Sequence, residues 1–216
     1  MQAAVRANDL DQVIQLVSND QSVTAKDEDA RTPLHWAASC GSLKVLDWLL
    51  TQPGTVVNTQ DDAGWTPLMS AVSAGHIESV VSLLNHGADA NTSNENGQIP
   101  LHYHRGRLDM AELLLEYTKD VDHVDDYGST PLLRAVGSYP NADLIRMLLE
   151  HGAALNTCDH QGNTPLHLAL LENEEAIAME LVQAGADYLT AINNEGKTCL
   201  DLAGQALKDA LPRNTI

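Results

Sequence analysis

The chain has 216 residues, with 30 acidic and 12 basic side chains and a net charge of −18 at pH 7. This excess of negative charge repels phosphate backbones and anionic lipid, so nucleic acid and membranes are disfavoured as partners and basic protein surfaces are favoured. No apolar run approaches the roughly 18 residues of a membrane span and no signal-peptide core is visible, so we expect a protein of the cytoplasm and the nucleus.

A short motif marks helix starts along the chain. It is Thr-Pro-Leu-His in its clearest form, and its copies begin at Thr32, Thr66, Ile99, Thr130, Thr164 and Thr198. Thr followed by Pro favours a helix start, because the hydroxyl accepts a backbone N–H and Pro gives up an N–H that has no helical partner. The Leu and the small residues after it recur at helical spacing, which predicts a first helix in each copy.

A second, more apolar helix is predicted after each first one. Residues 43–50 and 77–84 carry broad apolar stripes, and Gly87-Ala88, Gly152-Ala153 and Gly185-Ala186 follow such stripes as helix stops. The polar runs between copies, which include Asp61 to Gly64 and Asn94 to Gly97, have the composition of tight turns.

Successive motifs are separated by 34, 33, 31, 34 and 34 residues. A period of about 33 residues with two helices and a turn is typical of ankyrin repeats. We therefore predict an all-α ankyrin-repeat solenoid of about seven helix-turn-helix repeats with β-hairpin tips, forming a single domain over residues 1–216. The expected repeats are 1–25, 26–59, 60–93, 94–124, 125–158, 159–192 and 193–216.

Acidic residues cluster at the predicted tips. They are Asp27, Glu28, Asp29, Asp61, Asp62, Glu95, Asp125, Asp126, Asp159 and Glu195. Turn chemistry and solubility alone would account for any one of them. Their recurrence over six tips favours an electrostatic docking strip for a basic protein partner, which would include Asp61, Asp62 and Asp126.

Aromatic residues accompany these charges. Trp36 follows the motif's His, Trp65 precedes a cap, and Tyr103 and Tyr127 lie at comparable positions further on. Trp and Tyr beside charged residues are typical binding anchors because they offer a large area for few frozen rotamers. The alternative for Trp65 is that it covers the turn.

The segments Asp29 to Ala37 and Asp61 to Leu68 resemble the second and third repeats of gankyrin-like proteins, and Asn94 to Tyr103 and Gln161 to Leu168 resemble the fourth and sixth. The resemblance implies an assembly chaperone of the proteasome regulatory particle, a monomer when free, which holds the C-terminal domain of an AAA-type ATPase subunit. The implied contact residues are Asp29, Arg31, Trp36, Asp62, Trp65, Tyr127, Arg134 and Glu172. A generic adaptor or inhibitor with another basic client is the alternative.

The fourth repeat departs from the pattern. After Tyr103 the chain is two residues shorter than a regular repeat, which explains the 31-residue step and lacks the small residues of a first helix. We expect one distorted helical turn there.

Catalytic and cofactor signatures are missing from the sequence. No glycine-rich phosphate loop, Gly-x-Ser-x-Gly or HExxH motif occurs, so we predict neither an enzyme nor a cofactor. Cys40, Cys158 and Cys199 form no CxxC pair, which disfavours a disulfide framework. His35, His102 and His167 belong to the repeated motif, where we expect local hydrogen bonds; His104 beside them does not suffice for a metal site.

Overall fold

The structure is a computed structural model that describes residues 1–19, 22–205 and 208. Within them lie twelve α-helices and one 3₁₀ helix, and the predicted all-α class is confirmed. The chain divides into two compact halves, residues 1–119 and 120–216, and each is described by itself. The expectation of a single domain stays a prediction.

The N-terminal half contains four helix pairs. Their helices are α1 (Gln2–Arg6), α2 (Leu10–Ser18), α3 (Pro33–Cys40), α4 (Leu43–Leu50), α5 (Pro67–Ala74), α6 (Ile77–Asn85), the 3₁₀ helix (Pro100–Tyr103) and α7 (Leu108–Leu115). Helix α3 packs against α1, α4 and α5, and α5 packs against α3, α6 and the 3₁₀ helix, so these two first helices contact their own second helix and the first helices of both neighbours. Leu34, Ala37 and Ala38 of α3 are buried in these contacts.

The C-terminal half contains two complete pairs and the start of a third. Its helices are α8 (Pro131–Ser138), α9 (Ala142–Glu150), α10 (Pro165–Leu171), α11 (Glu175–Gln183) and α12 (Cys199–Leu202). Helix α10 packs against α8, α11 and α12. Most of the second helix expected before Leu211 lies outside the described residues.

The predicted threonine caps largely hold. The hydroxyls of Thr66, Thr130, Thr164 and Thr198 each accept the N–H of the residue three positions later. At Thr32 the hydroxyl instead lies 2.9 Å from Nδ1 of His35. These caps set where each first helix starts and therefore where each tip ends.

The fourth repeat is distorted, as predicted. Its first helix is the four-residue 3₁₀ helix, and Arg105 follows with a φ of +52°. The guanidinium groups of Arg105 and Arg107 donate to the carbonyls of Ser73 and Gly75 at the C-terminal end of α5. Positive charge is favourable at a helix C-terminus, so these two contacts help to hold the fourth repeat against the third.

Strands are nearly absent from the tips. The part of the chain that the structure describes has one isolated antiparallel bridge, between Ile192 and Thr198. Each tip is instead a tight turn. No helix among the described residues has the length and apolar character needed to cross a membrane.

Candidate functional site

Each of the six tips is built around one Asp or Asn side chain at its first position. In the third repeat, Oδ1 of Asp61 accepts the N–H groups of Ala63 and Trp65 at 3.0 and 2.8 Å, and the N–H of Asp61 donates to the Trp65 carbonyl at 2.9 Å. The same pattern recurs at Asp27, Asn94, Asp125, Asp159 and Asn193. Because Asn performs this task as well as Asp, the turn itself requires the side-chain oxygen at this position and does not require its charge.

The acidic residues at the second and third tip positions are different. In the N-terminal half, four of them point to solvent; they are Glu28, Asp29, Asp62 and Glu95, and we call them the outer acidic row. Backbone hydrogen bonds join their tips, from Asp62 N–H to the Asp29 carbonyl at 3.0 Å and from Glu95 N–H to the Ala63 carbonyl at 3.1 Å. The predicted strip therefore separates into structural carboxylates and exposed ones.

Asp61 and Arg31 hold neighbouring repeats together. The Arg31 Nε lies 3.0 Å from Oδ2 of Asp61, and the two side chains are 22% and 7% exposed. Arg31 Nη2 also lies 3.4 Å from the Ser70 hydroxyl. Both residues were predicted to bind a partner; the structure shows them engaged within the chain, and their contact with a partner stays a prediction.

Trp36 is partly exposed and bound on several sides. Its indole N–H donates to Oδ2 of Asp27 at 2.7 Å, and the guanidinium groups of Arg6 and Arg31 lie 4.0 and 4.9 Å from the ring centre. Partial burial acts to raise the pKa of Asp27, but the Trp36 hydrogen bond and two backbone N–H groups outweigh it and lower the pKa. Arg6 was missed from the sequence because no motif links it to Trp36.

Trp65 and Tyr103, both predicted as anchors, contact each other. Their ring centres are 4.6 Å apart and tilted by 49°, a favourable aromatic geometry. The Tyr103 hydroxyl donates to the Gln98 side chain and accepts from Nδ2 of Asn94 at 2.8 Å. The pair leaves each ring partly exposed on one continuous aromatic surface.

The C-terminal half carries the remaining predicted residues. Tyr127 is 61% exposed and Asp126 is exposed beside it. Arg134 Nη2 lies 3.0 Å from Oδ2 of Asp125, whose side chain is fully buried. Glu172 is exposed and follows the last residue of α10.

The motif histidines are satisfied internally, as predicted. The Thr32 N–H donates to Nδ1 of His35 at 3.1 Å, so Nδ1 is the acceptor and the ring proton lies on Nε2, which donates to the Trp65 carbonyl at 2.9 Å. Burial lowers the pKa of His35. His167 makes the same two contacts, with Thr164 and the Lys197 carbonyl. No group of three metal-ligating side chains occurs in the described residues.

A family model described as "Ankyrin repeats (3 copies)" matches residues 1–94, 41–125, 75–159, 103–194 and 139–210. The crystal structure of the human ASB11 ankyrin repeat domain is similar at a TM-score of 0.82 and 29% identity, covering 94% of this chain and 91% of that one.

Curated relatives match over shorter segments. The 26S proteasome non-ATPase regulatory subunit 10 of Dictyostelium discoideum is 51% identical over 87 residues, covering 39% of this chain and 37% of its own length. The probable 26S proteasome regulatory subunit p28 of Saccharomyces cerevisiae is 41% identical over 83 residues, covering 37% and 36%. The inhibitor of Bruton tyrosine kinase of Xenopus laevis is 42% identical over 81 residues, covering 37% and 6%.

The chain thus spans well under half the length of these relatives. The predicted resemblance to proteasomal proteins is confirmed over those segments, whereas the family model and the ASB11 likeness extend over nearly all of the sequence. The chain belongs to the ankyrin-repeat family, whose stacked repeats serve as scaffolds for binding other proteins.

Proposed function

We propose that this protein is an assembly chaperone of the 26S proteasome regulatory particle that holds the C-terminal domain of an AAA-type ATPase subunit. In this proposal it acts in the cytoplasm and the nucleus and is a monomer when free. The partner contributes Lys and Arg side chains, and the ankyrin repeats contribute carboxylates and partly exposed aromatic rings.

One observation carries the proposal: the outer acidic row is exposed, and none of its four carboxylates forms an ion pair within the residues that the structure describes. Lys26 Nζ donates to the Gln60 carbonyl at 3.2 Å, and Arg31 is paired with Asp61. The row therefore keeps its negative potential at the surface. Such a row attracts and orients a basic partner. The names of the two proteasomal relatives support the choice of client.

A second candidate function is a kinase-directed inhibitor or adaptor. The similarity to the Bruton tyrosine kinase inhibitor favours it. That alignment covers only 6% of the relative, however, whereas the two proteasomal alignments cover 37% and 36% of their relatives.

The test is affinity purification from cell extract with the wild type and two charge reversals. Asp62→Lys changes the outer acidic row; Glu112→Lys makes the same charge change at an exposed site on α7. The proposal expects ATPase subunits of the regulatory particle without core-particle subunits, and a loss of about threefold to tenfold in affinity for Asp62→Lys alone.

Salt gives a second measurement, because exposed charges are screened beyond about 10 Å at 0.1 M ionic strength. We expect binding to weaken from low to physiological salt. Recovery of a kinase without ATPase subunits would support the second candidate. Equal losses from both reversals would show that net charge matters and that the outer acidic row does not.

A further inference from the structure

A second series of contacts links the loops that follow the second helices. Asn58, in the loop after α4, donates from Nδ2 to the Gly87 carbonyl at 3.1 Å and accepts the Asp89 N–H at 2.9 Å. One carboxamide thus satisfies a carbonyl and an N–H two residues apart in the next repeat. We call each such contact a rung.

The rung recurs in other repeats. Asn91 donates to the Tyr117 carbonyl at 3.1 Å and accepts the Lys119 N–H at 2.7 Å. In the C-terminal half, the acceptor and donor pairs are Asp122 with the Ala154 N–H and Asn156 with the Asp187 N–H, at 2.8 and 2.9 Å. In each of these four repeat junctions, an Asn or Asp side chain therefore accepts the backbone N–H at the equivalent position of the next repeat.

The rung between the first and second repeats is missing. Thr24 lies 34 residues before Asn58, at the equivalent register, and its hydroxyl and N–H both contact the Ser22 hydroxyl, at 2.8 and 3.1 Å. The backbone groups that a carboxamide would bridge are the Gly54 carbonyl and the Val56 N–H. Neither has a hydrogen-bond partner within residues 1–19, 22–205 and 208.

A cleft of about 290 Å³ occupies the place of the missing rung. Its lining comes from two stretches of chain, namely Val23, Thr24, Lys26, Thr32 and Leu34 from the first and Gly54, Thr55, Val56 and Thr59 from the second. The wall is therefore mixed, with methyl groups, threonine hydroxyls and the Lys26 ammonium beside the residues that carry the unpaired backbone groups. Thr24 occupies the register at which Asn58 and Asn91 form rungs, but its hydroxyl contacts Ser22 instead of the next repeat.

We propose that this cleft binds an asparagine or glutamine side chain presented by an extended segment of a protein partner. A carboxamide alone supplies the donor for the Gly54 carbonyl and the acceptor for the Val56 N–H, in the arrangement seen at Asn58 and Asn91. A carboxylate has no donor for the Gly54 carbonyl, so it could accept only the Val56 N–H, as Asp122 accepts the Ala154 N–H. An aliphatic side chain would leave both backbone groups unpaired.

The site is independent of the outer acidic row and of the client proposed above. Its probe is a blocked tripeptide, acetyl-Gly-Asn-Gly-N-methylamide, titrated into the ¹⁵N-labelled protein and followed by NMR. We expect a saturable shift of the Val56 amide with a Kd of about 1–10 mM. The Asp and Leu analogues should bind at least about fivefold more weakly, since each lacks hydrogen bonds that the carboxamide makes.

Three variants test the assignment. Thr24→Asn supplies the carboxamide from within the chain and should abolish the Val56 response, whereas Thr24→Val should retain it. Asn58→Thr copies the first repeat into the second, so the Asp89 amide should then also respond to the peptide. This gain of a second site does not depend on whether Thr24→Asn folds.

The proposal is overturned if the Val56 amide does not respond in the wild type, or if the Leu peptide binds as tightly as the Asn peptide. It is also overturned if folded Asn58→Thr shows no response at Asp89. An Asp89 response in Asn58→Thr together with a silent Val56 in Thr24→Asn would establish the missing rung as a carboxamide site.

Discussion

The His35 side chain makes the stability of the fold depend on pH in a way that can be measured. Its ring is fully buried, the Thr32 N–H donates to Nδ1, and Nε2 donates to the Trp65 carbonyl. A second ring proton would have to lie on Nδ1 and face the Thr32 N–H, so the folded state holds the imidazole neutral.

The sign follows from the lowered pKa of His35. Above the unfolded pKa of about 6.5, the imidazole is neutral in both states and its hydrogen bonds contribute fully. As the pH falls below that value, His35 binds a proton in the unfolded chain but stays neutral in the folded chain, so the free energy of unfolding decreases. The limiting slope from one such group is about 1.36 kcal/mol per pH unit.

The perturbation is replacement of His35 by Met, which already occupies the equivalent buried position as Met69 in the third repeat. At neutral pH we expect a cost of about 1–3 kcal/mol, because a buried N–H of Thr32 loses its acceptor. His35→Gln, a polar side chain that does not titrate, is the companion variant.

The assay is urea unfolding followed by circular dichroism between about pH 5 and 8. Below pH 6.5, both variants should lose less stability per pH unit than the wild type, by up to about 1.36 kcal/mol, although their stabilities at neutral pH differ. Wild-type slopes in both variants would refute the argument that His35 is held neutral.

Two further predictions concern backbone strain and thiol reactivity. Ala30 has a φ of +58° at a tip position where the next tip has Gly64 at +75°. An L-residue in this region costs about 1–2 kcal/mol, and the greater freedom that glycine gives the unfolded chain offsets only part of the energy gained by removing that strain. Ala30→Gly should therefore raise the free energy of unfolding, measured in urea, by up to about 1 kcal/mol. Destabilisation would contradict this. Burial raises the pKa of Cys199 to about 11, whereas Cys40 and Cys158 are exposed. Iodoacetamide should therefore label Cys40 and Cys158 in the native protein and label Cys199 only after unfolding. Labelling of all three thiols at one rate would count against this prediction.

The sequence was sufficient for features that depend on local chemistry. Thr-Pro pairs placed the first helices because capping and the missing proline N–H act within a few residues. The distorted fourth repeat was equally accessible, because two absent residues remove part of a helical turn whatever surrounds it. The contacts made by the residues after the shortened helix could not be predicted from the sequence. The contacts of Arg105 and Arg107 with α5 join residues 32 apart and depend on how the two repeats stack.

The sequence did not show which acidic residues of the predicted docking strip are exposed. Asp61 and Asp62 are adjacent and chemically identical, yet one is buried in a turn and ion pair while the other is exposed. A signal was present: the first tip position is Asn at Asn94 and Asn193. A position that accepts Asp and Asn alike has a hydrogen-bonding task in which charge is secondary.

The same distinction explains how a chain with a net charge of −18 can stack its repeats. Ion pairs such as that of Arg31 with Asp61 join some neighbouring repeats, but most of the contacts that recur between repeats come from neutral groups, which include backbone amides of the tips, the imidazole of His35 and the carboxamide rungs. Each is short-ranged and insensitive to the charge of distant residues. Cohesion between repeats thus draws mainly on neutral hydrogen bonds, whereas recognition of a basic partner would draw on the exposed carboxylates. Acidic side chains at the second tip position are therefore free to vary with the partner, because the turn beneath them is already held by the first.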